Sequence, residues 1–168
     1  EKQFEKKDKY RYDPYFYEYM RAFKEKNYKT AQDYLEKSAQ IFSDPPNTIL
    51  NLAVLKKGLG DENAAKDILI KIIQKDPYFL VAKYNLANIY IKEKNNPEVA
   101  KLLQDIYDLV PEYGDGQAWF YLAAAYINSK NYDAALPLVQ GFIKRYENDP
   151  AKKEQVEKFK SLLSPASK

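Results

Sequence analysis

Cysteine and histidine are both absent from this 168-residue chain, and with them goes most of the chemistry a small protein can perform. Without His the commonest general base is missing, and no side chain has an ordinary pKa near neutrality. Without Cys there is no thiolate nucleophile, and the two absences together remove the usual zinc ligands. Catalysis would have to rest on carboxylates, Lys, Tyr or Ser. One candidate pair, Asp105 with Asp108, reads as a solvated helix face, so no enzyme activity, metal or cofactor is expected. Glycine is scarce, at five residues. Gly114-Asp115-Gly116 lacks the preceding strand and the spacing of a phosphate loop, and reads as a turn. No Asp-rich segment matches a calcium loop. No apolar run approaches the length of about 18 residues that marks a membrane span.

A strong charge of one sign is missing too. The net charge is +3, and residues 1–11 and 149–168 each carry five bases and three acids. The stretch between them is therefore close to neutral, at net −1. The bases are 24 Lys against 3 Arg, which fits a solvated surface better than phosphate recognition, so no nucleic-acid partner is expected. The lack of Cys permits an oxidising compartment. Glu1 stands where a Met would open a nascent chain, which leaves room for a removed signal or anchor. An exported or periplasmic location is favoured over a cytoplasmic one.

What is present is periodic. Hydrophobic content of 45% with 30% charged residues suits one soluble globular domain. Apolar residues recur at helical spacing throughout, broken by short polar turns. The expected helices run from about Pro14 to Lys26, Tyr28 to Phe42, Thr48 to Gly58, Glu62 to Lys75, Phe79 to Glu93 and Pro97 to Leu109. A further pair lies around Trp119 and extends to about Tyr146, with Pro137 near the start of its second helix. Asp149-Pro150 then opens a last helix with Ala151, Val156, Phe159, Leu162 and Leu163 on one side. Residues 1–11 read as a charged tail or linker, and 165–168 as a frayed end.

The pairs are copies of one pattern. Trp119-x2-Leu122-Ala123-x2-Tyr126 precedes the turn Ser129-Lys130-Asn131, then Ala135 and Val139. Lys83-x2-Leu86-Ala87-x2-Tyr90 precedes Lys94-Asn95-Asn96, then Val99, Leu103 and Pro111. Ile49-x2-Leu52-Ala53 precedes Gly60-Asp61, then Ala65, Leu69 and Pro77. Leu52 to Leu86, Ala65 to Val99 and Pro77 to Pro111 are each 34 residues apart. Leu86 to Leu122 is 36, with Gly114-Asp115 as the inserted turn. The first unit is degenerate: Asn27-Tyr28, Ala31 and Leu35 fit, but Glu18 and Tyr19 replace the Leu and the small residue.

This pattern resembles the tetratricopeptide repeat, whose signature places W-x2-L-G-x2-Y before A-x3-F and a Pro at a period of 34. Ala123 stands for its Gly and Val139 for its Phe, and no Pro closes the fourth unit. The resemblance implies an all-α, right-handed α-solenoid of about four helix–turn–helix units. These fall at about 12–45, 46–79, 80–113 and 116–149, with a capping helix at 150–164. The first helix of each pair would line a concave groove. Aligned on the family, the outward positions are Phe16, Met20 and Phe23; Leu50, Asn51 and Val54; Tyr84, Asn85, Asn88 and Ile91; Phe120, Tyr121, Ala124 and Ile127. A chaperone-binding subset of the family clamps a C-terminal carboxylate with basic residues here. This chain has Phe16, Leu50, Tyr84 and Phe120 at those places, so no such clamp is expected.

The implied function is a non-catalytic interaction scaffold whose aromatic and aliphatic groove binds a peptide or helix of a partner protein. A composition heavy in Lys, Asn, Tyr and Ile is associated with AT-rich genomes, and a bacterial envelope assembly is the setting expected for it. Two other occupants compete for the same wall: the chain's own N-terminal segment, or a second copy in a homodimer. A different reading makes the chain a carrier of a small lipophilic ligand in the same groove.

Overall fold

The computed structural model describes residues 14–41 and 46–163. Among them, regular structure is helical throughout: α1 (Pro14–Lys24), α2 (Tyr28–Ile41), α3 (Pro46–Gly58), α4 (Glu62–Lys75), α5 (Leu80–Lys92), α6 (Asn96–Leu109), α7 (Gln117–Asn128), α8 (Tyr132–Tyr146), a 3-10 turn (Pro150–Lys152) and α9 (Lys153–Leu163). The tail at 1–11, Asp13, Asp44-Pro45 and the end at 165–168 lie outside the described residues. The chain forms two compact units, Glu1–Ala82 and Lys83–Lys168, with the boundary inside α5.

Every helix pair turns through the same corner. Lys26, Gly60, Lys94 and Lys130 have φ of 61°, 87°, 57° and 59°, and they recur after 34, 34 and 36 residues. Each N–H bonds the carbonyl three residues back, on Phe23, Lys57, Ile91 and Ile127. The next residue's N–H reaches five back, from Asn27, Asp61, Asn95 and Asn131 to Ala22, Lys56, Tyr90 and Tyr126, at 2.9 Å in all four. This is the Schellman arrangement, which satisfies the last carbonyls of the first helix. The residue after the corner then starts the second helix. The side chains of Asn27, Asp61 and Asn131 accept from the N–H groups of Thr30, Ala64 and Ala134 at 3.2–3.4 Å. Asn95 makes no such bond, and Pro97 in the first turn of α6 presents no N–H to satisfy.

In the first unit α1, α2, α3 and α4 pack in sequence, each on the next. Their core holds Tyr19, Ala22, Ala31, Leu35 and Leu55, with Phe16, Tyr34 and Leu52 against it. Tyr19 fills the place that Ala53, Ala87 and Ala123 take in the other repeats, so this repeat keeps its packing with a ring where a small residue is usual. Glu18, at the Leu position, stays partly exposed and pairs with Arg21 at 2.6 Å. The Arg21 guanidinium thereby compensates the carboxylate at Oε2, the oxygen that is shut off from solvent.

The second unit has an aromatic core. Trp119 meets Phe142 edge-on at 5.7 Å and Tyr107 at 5.2 Å, and its indole N–H donates to the Leu138 carbonyl at 3.0 Å. Gly141 makes room for it, because a Cβ there would lie 2.9 Å from the Trp119 ring. Asp149 caps the 3-10 turn by accepting from the Ala151 N–H, and α9 then lays Val156 and Phe159 onto the core. Ala151, Leu162 and Leu163, expected on the same apolar face, are exposed. The buried residue of that first turn is Lys152, whose ammonium pairs with Asp115 at 2.7 Å. Gly114, Asp115 and Gly116 form a run of three left-handed residues, and they tie the inserted turn to the cap.

Two glycine changes at these turns should move stability in opposite directions. Gly116→Ala combines φ +75° with a Cβ 2.5 Å from the Tyr146 hydroxyl, and should cost about 2 kcal/mol or more. Lys130→Gly relieves a left-handed strain of about 1–2 kcal/mol against a chain-entropy cost of about 0.5–1, so it should gain up to about 1.5 kcal/mol. Urea denaturation of both variants checks the signs.

Candidate functional site

The first helix of each pair contributes one face to its unit's core and leaves another outward. In the first unit α1 and α3 do this side by side with α2. Met20 is 52% exposed, Phe23 44% and Val54 45%, large apolar side chains left in water. Phe23, Asn51 and Val54 meet around a hollow of about 300 Å3, completed by Tyr19, Tyr28, Leu55 and Gly58. Rings run along its edge, Tyr19 to Phe23 at 5.9 Å and Phe23 to Tyr28 at 5.6 Å. Two residues expected outward turn in instead: Phe16 packs on the core and Leu50 is buried. Sequence reasoning missed Tyr28, because it opens the second helix of its pair. Its place directly after the Lys26-Asn27 corner, which swings it back toward α1, was the available signal.

In the second unit α5 and α7 supply the outward residues. Tyr84, Asn85, Asn88, Ile91, Tyr121 and Ile127 are all half-buried. The Tyr84 ring lies 5.4 Å from that of Tyr113, and a side-chain hydrogen bond joins Tyr84 to Asn88. Burial, reinforced by Tyr121 and Tyr113 nearby, pushes the Tyr84 phenol above its ordinary value against that hydrogen bond. The hydroxyl stays neutral at physiological pH, able to donate and accept. A hollow of about 440 Å3 opens beside these residues. Ile91, Phe120, Tyr121 and Ala124 line it, with Lys94, Asn96, Val99, Ala125, Asn128 and Lys158. Asn85, Asn88, Tyr84 and Ile127 lie outside its lining.

Phe120 differs from its expected place on an open wall. It is only 8% exposed, stacked on Phe159 of α9 at 4.8 Å and set 5.8 Å from Phe142. The cap covers most of this ring, because α9 needs an apolar seat for Phe159 and α7 offers one. Only its remaining edge reaches the hollow.

The charged groups serve structure. Lys83 stands where Trp119 stands one unit later, and its buried ammonium pairs with Asp105 of α6. Asp108, the other half of the candidate pair, accepts from Gln104 at 2.7 Å. Among the described residues no three His, Cys, Asp or Glu side chains group as metal ligands do. None of the described helices is long and apolar enough to cross a membrane.

The Lys83–Asp105 pair makes a signed prediction. Asp105→Asn strands a buried ammonium and should destabilise by about 1–3 kcal/mol, whereas Lys83→Met, which removes the charge itself, should lie within about 1 kcal/mol of the natural chain. Denaturation of the two single variants checks the order.

Residues 117–149 match the family model described as tetratricopeptide repeat. No curated protein matches the chain. Among solved structures, a MamA from Desulfovibrio magneticus RS-1 is 18% identical, with a TM-score of 0.69, over 89% of this chain and 89% of its own. A further MamA protein is 21% identical, with a TM-score of 0.65, over 89% and 88%. A tetratricopeptide repeat protein from Parabacteroides merdae is 15% identical, with a TM-score of 0.67, over 84% of this chain and 55% of that one. The matched segment begins at α7 and ends after α8, the pair with the Trp119 pattern. The chain thus carries a tetratricopeptide repeat at 117–149, within an all-α helical-repeat fold of the same type.

Proposed function

We propose that the chain is a non-catalytic interaction scaffold, and that the outward faces of its first helices bind an apolar segment of a partner protein. One observation carries the proposal: Phe23 and Val54 keep about half their surface in water on the lining of a hollow of about 300 Å3, and Met20, on α1 beside Phe23, is exposed to a similar degree. Fully burying such a side chain is worth about 1.5–3 kcal/mol, so each of the three, left half-exposed, forgoes part of that stability, which a partner can recover. Asn51 in the same hollow offers both a donor and an acceptor to a peptide backbone. The helical-repeat fold supports the reading by presenting such faces side by side. We extend the proposal to an assembly of the bacterial envelope, a setting that a chain without cysteine suits.

A photo-crosslinking residue at position 54 tests the binding face. The expected result is a crosslink to one partner, with the crosslinked peptide apolar in sequence, and its loss in Met20→Lys while the melting temperature holds. A crosslink that survives Met20→Lys unchanged, or one spread without preference over unrelated proteins, would overturn the reading.

A further inference from the structure

The second hollow differs in chemistry from the first. Its floor is apolar, from Ile91, Val99, Ala124 and Ala125, yet the charged groups on its lining are Lys94 and Lys158, with no Asp or Glu among them. The two lysines come from separate elements. Lys94 is held in the left-handed corner between α5 and α6, at φ 57°. Lys158 projects from α9, its ammonium 5.6 Å from the centre of the Phe120 ring. Phe159 packs against that same ring from within the core, so the hollow combines an aromatic wall with positive charge that no Asp or Glu on its lining balances. Cations beside a low-dielectric surface focus potential outward, and the ligand they suit is anionic.

We infer that this hollow takes an acidic segment of a partner protein. An aromatic or branched side chain sits on the apolar floor, and Asp or Glu side chains flanking it pair with Lys94 and Lys158. A volume of about 440 Å3 accommodates one such anchor and its neighbours. Two ammonium groups on different elements suit carboxylates on either side of an anchor better than they suit a single chain-terminal carboxylate. Asn96 and Asn128 at the lining can hold the backbone between them. The inference rests on the scaffold reading, but it concerns a different hollow from the one that carries that reading. Its two lysines stand at none of the places where the family's carboxylate clamp would put its basic residues, although Phe120, one of those places, lines the hollow.

The test titrates the intact chain into a fluorescein-labelled peptide, blocked at both ends, with one Phe between pairs of Glu, and reads anisotropy. Control peptides replace Glu by Lys, replace Phe by Ser, or leave the C-terminus free with no Glu. The acidic Phe peptide should bind about tenfold or more tightly than each control, and less tightly as salt rises. Lys94→Glu with Lys158→Glu should weaken it by about tenfold or more and favour the Lys peptide instead. Lys94 and Lys158 are exposed, and circular dichroism of the double variant checks that the fold is kept. Equal binding of acidic and basic peptides, binding that needs only the free C-terminus, no binding by any peptide, or an unchanged affinity in the double variant would each overturn the inference. A specific crosslink at position 54 alongside such a failure would leave the scaffold reading standing, and the two fail separately.

Discussion

One left-handed residue per helix pair is the constraint on which the rest depends. At Lys26, Gly60, Lys94 and Lys130 the chain leaves its first helix, satisfies that helix's last carbonyls and starts the second within two residues. Three of the four are lysines, so three corners are held against a left-handed cost of about 1–2 kcal/mol apiece. What offsets that cost is packing: a corner of fixed geometry brings fully buried alanines such as Ala31, Ala65 and Ala135 against the helix before them. Because the corner is the same each time, the same face of each first helix is left without a partner inside its own pair.

The two units spend that face differently. In the first, the ring row Tyr19, Phe23 and Tyr28 borders a hollow whose exposed side chains are apolar. In the second, part of the face is consumed by the cap. Phe159 takes the Phe120 ring, Lys152 pairs with Asp115 of the inserted turn, and what remains is a hollow with lysines at its lining. The cap therefore does more than end the stack. It brings a second lysine, Lys158, to a hollow where the repeats themselves place Lys94.

Much of this was legible in the sequence, and for physical reasons. The helices, their pairing and their corners follow from spacing and capping chemistry, and the first six helices fall within two residues of the expected bounds. The 36-residue step was traced to Gly114-Asp115, where the chain does turn through left-handed residues, and the glycines at 114 and 116 adopt them without a Cβ penalty. The outward face was harder to read. Alignment to the family fixes which side of a helix a residue lies on, but not how far a neighbour covers it. Leu50 and Phe16 turned inward and Phe120 was covered by α9, since coverage depends on residues far along the chain. The burial of Lys83 and Lys152 left no signal in the spacing, because each is buried with a carboxylate partner that only the fold brings near.

The most direct measurement uses Met20, the only methionine in the chain and one of the most exposed apolar side chains on α1. Labelled with 13C at its methyl group, it gives a single resonance that reports the outward face of the first unit. If that face binds the partner recovered by crosslinking, the resonance shifts or broadens as the partner is added, and does so in proportion to complex formed. A complex that forms while the Met20 methyl stays where it was would contradict the account.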